Sequence, residues 1–181
     1  LAKHGVKISI DTMRASTAEV AIKAGASIIN DVSGGLADPH MLQTAARLGV
    51  PYIAMHWRGQ SKDMNSKAIY SDVVIDVISE LQERITAALD AGIEVGNLII
   101  DPGLGFAKDA EHNWEIIDSI DSFVDLGYPV LVGASRKRFL GGDSPDEREQ
   151  ATIDLTKRLA TTGVWAVRVH SVKPHKEVLA Q

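Results

Sequence analysis

Val6-Lys7-Ile8-Ser9-Ile10-Asp11, then Ser16-x-x-Glu19, then Gly25, then Ser27-Ile28-Ile29-Asn30-Asp31: the reading of this stretch decides the fold. A β-branched run ends in a carboxylate. A helix-length segment opens on a capping-box pattern and stops at glycine, and a second β-branched run follows. Strand, crossover helix and parallel strand is the simplest account, and the pattern repeats down the chain. Asp38-Pro39 opens the next helix as N-cap and first helical residue, and Gly49 closes it. Pro51-Tyr52-Ile53-Ala54 runs to Met55-His56. After a polar stretch, a long helix is expected from about Ile69 to Ala91, with Val73, Val77, Leu81 and Ile85 as its apolar stripe. Asn97-Leu98-Ile99-Ile100 ends at Asp101-Pro102-Gly103, and a helix from about Asn113 to Leu126 stops at Gly127. Pro129-Val130-Leu131-Val132 leads to Ser135-Arg136-Lys137. The charged run Asp143 to Glu149 reads as a solvated loop and a helix start, with the helix reaching about Thr162 and Gly163 as its cap. The last run, Val164 to Val169, carries Arg168 and leads to His170 and a short terminal helix.

These are six βα units of roughly thirty residues each, with no linker and no break in composition, so residues 1–181 are expected to form one α/β domain with a mostly parallel sheet. The chain is 45% hydrophobic and 24% charged, with a formal net charge of −5. That balance argues against non-specific nucleic-acid binding. No apolar run approaches the roughly 18 residues of a membrane helix, and no signal-type segment opens the chain. There is no cysteine, which excludes disulfides and thiolate metal sites and fits a cytoplasmic protein. A complete (β/α)8 barrel typically takes about 250 residues, so 181 is short for one. An open doubly wound sheet and a segment of a barrel both fit the pattern, and periodicity alone does not choose.

In parallel α/β folds the C-terminal strand ends form the functional face. Asp11, Asn30, Asp101, Lys137, Arg168 and His170 all stand at or just beyond such ends, and are expected to converge on one pocket. Each alone reads as well as a helix cap or loop hydrogen bond; six at equivalent positions do not. Asp11, Asn30 and Asp101 offer acceptors to a ligand rich in N–H donors, such as an aminopyrimidine edge. Arg168 and His170, two apart on one strand, point the same way and, with Arg136 or Lys137, suit a phosphate or diphosphate. The bland reading of Arg136-Lys137-Arg138 is a solvated basic turn. His56 reads as a hydrogen-bonding support behind the site or, the preferred reading, as a satisfied core histidine, and His4, His40 and His112 read as surface residues. Trp57, Trp114 and Trp165 read as packing anchors. No nucleophile elbow, dinucleotide fingerprint or Walker loop is present.

The segments at these strand ends are S-I-D-T (9–12), I-N-D-V-S-G-G (29–35), M-H-W-R (55–58), D-P-G-L-G-F-A-K (101–108), V-G-A-S-R-K-R-F (132–139) and V-R-V-H (167–170). In this order they resemble dihydropteroate synthase, over essentially the whole chain. The resemblance implies a TIM-type (β/α)8 barrel, incomplete here, with the six units standing for strands 3–8. It implies condensation of (7,8-dihydropterin-6-yl)methyl diphosphate with para-aminobenzoate, giving dihydropteroate and diphosphate for folate synthesis. By motif, Asp11, Asn30, Met55, Asp101 and Lys137 match pterin-binding positions, and Phe106 and Ser135 lie on the para-aminobenzoate side. Arg168 and His170 match the diphosphate ligands; with Lys137 they form the expected catalytic set. No metal ligand is assigned in this chain. The family's Mg²⁺, and the Asn that holds it, belong to a first strand-loop for which no counterpart is found here. A homodimer is also implied. Ser171 stands where the family usually has Asp, a change expected to loosen the support of His170.

Two N-terminal βα units are expected to be missing, cut within the second, because Leu1-Ala2-Lys3-His4-Gly5 reads as the last turn of a helix. The first and last strands would then be unpaired apolar edges. A non-catalytic pterin-binding homologue or inactive fragment is the alternative reading. A pterin-binding methyltransferase domain is disfavoured, because S-R-K and R-x-H serve a diphosphate that methyl transfer lacks.

Overall fold

Each β-branched run pairs in parallel with the next in the computed structural model, which describes residues 1–60, 62 and 64–180. Strands β1 (Ser9–Asp11), β2 (Ile28–Asp31), β3 (Tyr52–Met55) and β4 (Leu98–Asp101) form one sheet in chain order. β5 (Leu131–Val132) and β6 (Ala166–Val167) form a second parallel pair. The helices are α1 (Ala15–Lys23), α2 (Met41–Leu48), α3 (Val73–Asp90), α4 (Ala110–Asp118), α5 (Ile120–Val124), α6 (Glu147–Leu159) and α7 (Val172–Leu179). The chain divides into two compact units: Leu1–Trp57 with Val77–Asp101, and Arg58–Asp76 with the residues from Pro102 onward. No helix among the described residues is long and apolar enough to cross a membrane.

In the first unit β2, β3 and β4 start with apolar residues on both faces and are buried apart from the partly covered Ile28, and Ile29, Tyr52, Leu98 and Ile100 are fully buried. Val73, Val77, Leu81 and Ile85 of α3 are buried at the expected spacing of four. β1 is partly covered and, among the described residues, pairs with β2 alone. Ala2–His4 forms a single 3₁₀ turn, and the Gly5 amide closes it on Ala2 O at 3.0 Å.

The first unit turns on one buried carboxylate. Asp31, fully buried, accepts hydrogen bonds from Ser33 N (2.8 Å), Ser33 Oγ (2.7 Å), Gly35 N (2.8 Å) and Tyr52 Oη (2.8 Å). Four donors offset the cost of taking the group out of water. Burial, and after it the Asp31 carboxylate, pushes the Tyr52 hydroxyl well above its ordinary value, so the phenol remains a donor.

Several helix starts differ from the sequence reading. Ser16 and Glu19 form no capping box: α1 begins at Ala15, and its first amide is capped from a distance by Asp38 Oδ2 at 2.8 Å. Glu19 instead pairs with Lys23 (2.8 Å) and Arg47 (3.1 Å). Asp38 Oδ1 accepts from His40 N at 2.9 Å, so one side chain serves two helix entries; the Ala15 and then the His40 amide hold its carboxyl below the ordinary range. α3 begins at Val73, four residues after the expected start. α4 begins at Ala110, because Asp109 and His112 make the reciprocal cap usually built with Glu.

In the second unit Ile116, Ile117, Phe123, Val130, Val132, Leu155 and Leu159 are buried. β5 and β6 are each two residues long, and Trp165, just before β6, is 53% exposed. It is therefore no packing anchor. Trp114 meets Phe139 edge-on at 5.8 Å.

Asp31→Ala would leave four buried or half-buried donors without an acceptor, whereas Tyr52→Phe removes one donor from a carboxylate that keeps three. Urea unfolding is expected to show a loss of about 3–5 kcal/mol for the first and about 1 kcal/mol for the second. Equal losses would mean that the carboxylate is not the hub.

Candidate functional site

Parallel pairing sets which side chains share a face. Asp11 is in register with Asn30, Asn30 with Ile53, and Met55 with Asp101. Residues in register point the same way, and Met55 stands two after Ile53. Asp11, Asn30, Met55 and Asp101 therefore share one face of the four-stranded sheet. Asn30, Met55 and Asp101 are buried, while Asp11, on β1, is exposed. The same rule turns Asp31 and Tyr52 to the opposite face, where they meet. His56, one residue past β3, is 1% exposed, and its Nε2 lies 2.9 Å from Glu80 Oε2 on α3. It is the satisfied core histidine expected. Trp57 lines a cavity of about 330 Å³ with Leu36, His56, Glu80, Glu83 and Arg84, a set that contains none of the candidate ligand residues.

In the second unit the segment from Gly103 to Asp109 wraps around two side chains. Lys108, 8% exposed, donates its ammonium protons to Gly103 O (3.2 Å) and Phe106 O (3.1 Å). Asn113 Oδ1 accepts from Gly105 N at 2.6 Å, and its amide donates to Asp109 O. Tyr70 Oη donates at 2.9 Å to the carbonyl of Ala107, which is held at φ 49°, and Arg58 lies 3.8 Å from the Tyr70 ring centroid. His112, expected at the surface, caps α4 and meets Tyr70 edge-on at 5.0 Å. This fixed loop holds Lys137: Nζ donates to Leu104 O and lies 4.7 Å from the Phe106 ring centroid, a cation–π distance.

The strand ends of β5 and β6 bring the remaining candidates together. Ser135 Oγ accepts from His170 N at 3.2 Å and lies 2.9 Å from His170 Nδ1. Arg168 N donates to Val132 O at 2.9 Å. Arg136 stands apart from this set. Its backbone is left-handed (φ 59°), Nε donates to Glu149 at 3.0 Å and Nη2 to Ser171 Oγ at 3.0 Å. It acts here as a strut and is not a freely solvated turn residue. Ser171 supports Arg136, while His170 takes its support from Ser135.

Glu149 Oε1 lies 3.5 Å from His175 Nε2, both atoms buried, and His175 Nδ1 meets Thr156 Oγ1 at 2.7 Å. Burial alone would raise the Glu149 pKa. Arg136, Ser171 and His175 outweigh it and hold the carboxyl below its ordinary 4.5. The sequence offered no signal for this cluster; its members lie on three separate elements.

A family model described as "Pterin binding enzyme" matches residues 1–170. The chain belongs to this family. It is 45% identical over 189 residues to the dihydropteroate synthase of Mycobacterium leprae, covering 99% of this chain and 66% of that protein. The dihydropteroate synthase of Thermus thermophilus, solved with 4-aminobenzoate, superimposes with TM-score 0.92 at 39% identity, over 98% of this chain and 70% of that one. That of Xanthomonas albilineans, solved with 7,8-dihydropteroate, gives 0.90 at 35% identity, over 97% and 65%. The chain thus spans about two thirds of the length of these pterin-binding relatives. Its fold class is that of their barrel, α/β with parallel strands, represented by six βα units.

Because its folded pKa is depressed, Glu149 contributes stability that is present above its ordinary 4.5 and is lost as pH falls through the lower folded value. Unfolding free energy is expected to fall less steeply below pH 4.5 in Glu149→Gln than in the unsubstituted chain. Parallel acid limbs would show that the Arg136 strut adds nothing through charge.

Proposed function

We propose that residues 1–181 form a pterin-binding domain of a dihydropteroate synthase. The observation that carries this reading is the shared face of Asp11, Asn30, Met55 and Asp101. Three hydrogen-bonding side chains and one thioether suit a flat heterocycle with N–H donors along one edge and an apolar ring face. Asp101 is 1% exposed, so its carboxylate meets ring N–H groups with little competition from water. Lys137, held by the loop that carries Phe106, is assigned by its motif to the pterin and to the para-aminobenzoate side. Ser135 serves that side through the position of its neighbours, since its Oγ is engaged with His170. Arg168 and His170 take the diphosphate.

The reaction that follows needs no side-chain nucleophile. The C–O bond between the pterin methylene and diphosphate breaks, and its electron pair leaves with the diphosphate, stabilised by Arg168 and by an N–H of His170. The electron-deficient methylene is favoured by the carboxylates of Asp11 and Asp101. The amine of para-aminobenzoate then forms the C–N bond and releases its proton to solvent. Related synthases solved with 4-aminobenzoate and with 7,8-dihydropteroate support this substrate pair.

The Mg²⁺ that the family resemblance implies would supply charge neutralisation at the diphosphate when bound; among the described residues no group of three or more acidic or imidazole side chains could itself hold a metal. No step here runs through it. A cytoplasmic homodimer completes the proposal.

Supplied with the pterin diphosphate and para-aminobenzoate, this chain or a longer product of its gene is expected to release diphosphate and dihydropteroate one for one. Asp101→Ala and Lys137→Ala are each expected to weaken dihydropterin binding about 100-fold, the loss of a charged hydrogen bond in a shielded site. Absence of turnover from either product, or near-normal affinity in both variants, would sink the reading.

A further inference from the structure

Two of the proposed cations lie against glycines. A Cβ built on Gly105 would stand 2.8 Å from Lys137 Cδ, and one on Gly133 would stand 2.5 Å from Arg168 Nη2 and 3.0 Å from its Cζ. The two positions differ in kind. Gly105 has φ 74°, so the backbone alone favours glycine there. Gly133 lies outside the left-handed region, and its backbone would accept any residue. What it lacks room for is a side chain, because the guanidinium of Arg168 occupies the space.

The pairing of β5 with β6 extends this into a pattern. Val132 is in register with Val167, which sets Gly133 beside Arg168 and Ser135 beside His170. Each proposed anion ligand on the β6 side thus faces a small residue on the β5 side, with a spacing of two in both segments. Under His170 the small residue is a hydroxyl. Its oxygen accepts from the His170 amide, and its own proton can reach Nδ1; in that tautomer the imidazole proton sits on Nε2, the nitrogen an anion would meet. Under Arg168 the small residue has no side chain, so the guanidinium lies down on the strand.

We propose that Gly133 is a positioning residue: it provides the flat seat that holds the Arg168 guanidinium low over β5, in line with His170, and so aims both groups at one anionic leaving group. This rests on the proposed function and deepens it by assigning the aim of the diphosphate ligand to a residue that touches no substrate.

Alanine at Gly133 would lift a flexible side-chain end and leave backbone atoms in place, so the fold should survive. Binding of inorganic diphosphate to the full chain, measured by calorimetry, is expected to weaken about tenfold in Gly133→Ala, the equivalent of one charge-assisted hydrogen bond. The thermal midpoint should stay within about 3 °C of the unsubstituted chain. In an Arg168→Ala background the same change should cost nothing further, since the group it displaces is gone. Equal weakening in both backgrounds, or none in either, overturns the proposal and leaves the function standing, provided Arg168→Ala itself weakens binding. Undiminished binding in Arg168→Ala, or none by the unsubstituted chain, overturns the assignment of the diphosphate ligands and this proposal with it.

Discussion

Parallel hydrogen bonding carries register from strand to strand, and the rest of the first unit depends on it. Once Ser9 pairs with Ile28 and Tyr52 with Ile29, every side chain of the sheet is assigned to a face. Asn30 and Asp31 are neighbours in sequence with opposite duties. One turns toward the candidate ligand face, and the other turns back to close the 31–35 loop and bind Tyr52. The polar groups of the candidate ligand face are thus held by polar groups that face away from it.

The second unit reaches the same end by a different route. Its strands are two residues long and carry little register of their own, so side chains do the fixing. Lys108 and Asn113 hold the loop that carries Phe106, and Glu149 and His175 hold Arg136 between Ser135 and Lys137. A buried ammonium on two carbonyls and a half-buried carboxylate beside a guanidinium are both costly to desolvate alone. Together they restrict a loop that a short sheet would leave free.

The strands and their polar ends were legible in sequence because β-branched runs ending in Asp, Asn or His are an unambiguous local signal. Glycine stops were legible for the same reason: Gly5 and Gly49 both adopt the left-handed cap expected of them. Helix starts were not. Capping depends on which acceptor reaches the first amides, and Asp38, not Ser16, reaches Ala15 across 23 residues of chain. At Asp109 the partner is His112, an unusual choice that hid a local motif. Arg136 was ambiguous because it sits between two candidate ligands in one motif. Its true partners, Glu149 and Ser171, are set by tertiary packing that no spacing rule reveals.

The opposed duties of Asn30 and Asp31 constrain how the chain could change length over evolution. Inserting or deleting one residue within β2 ahead of this pair would exchange their faces, sending the carboxylate that closes the loop toward the ligand and the amide into the helix layer. No compensating substitution elsewhere restores both at once. A change of length past the hub leaves both faces as they are, because no later residue resets the alternation of β2. The fold's tolerance for insertions is written in the alternation of a four-residue strand.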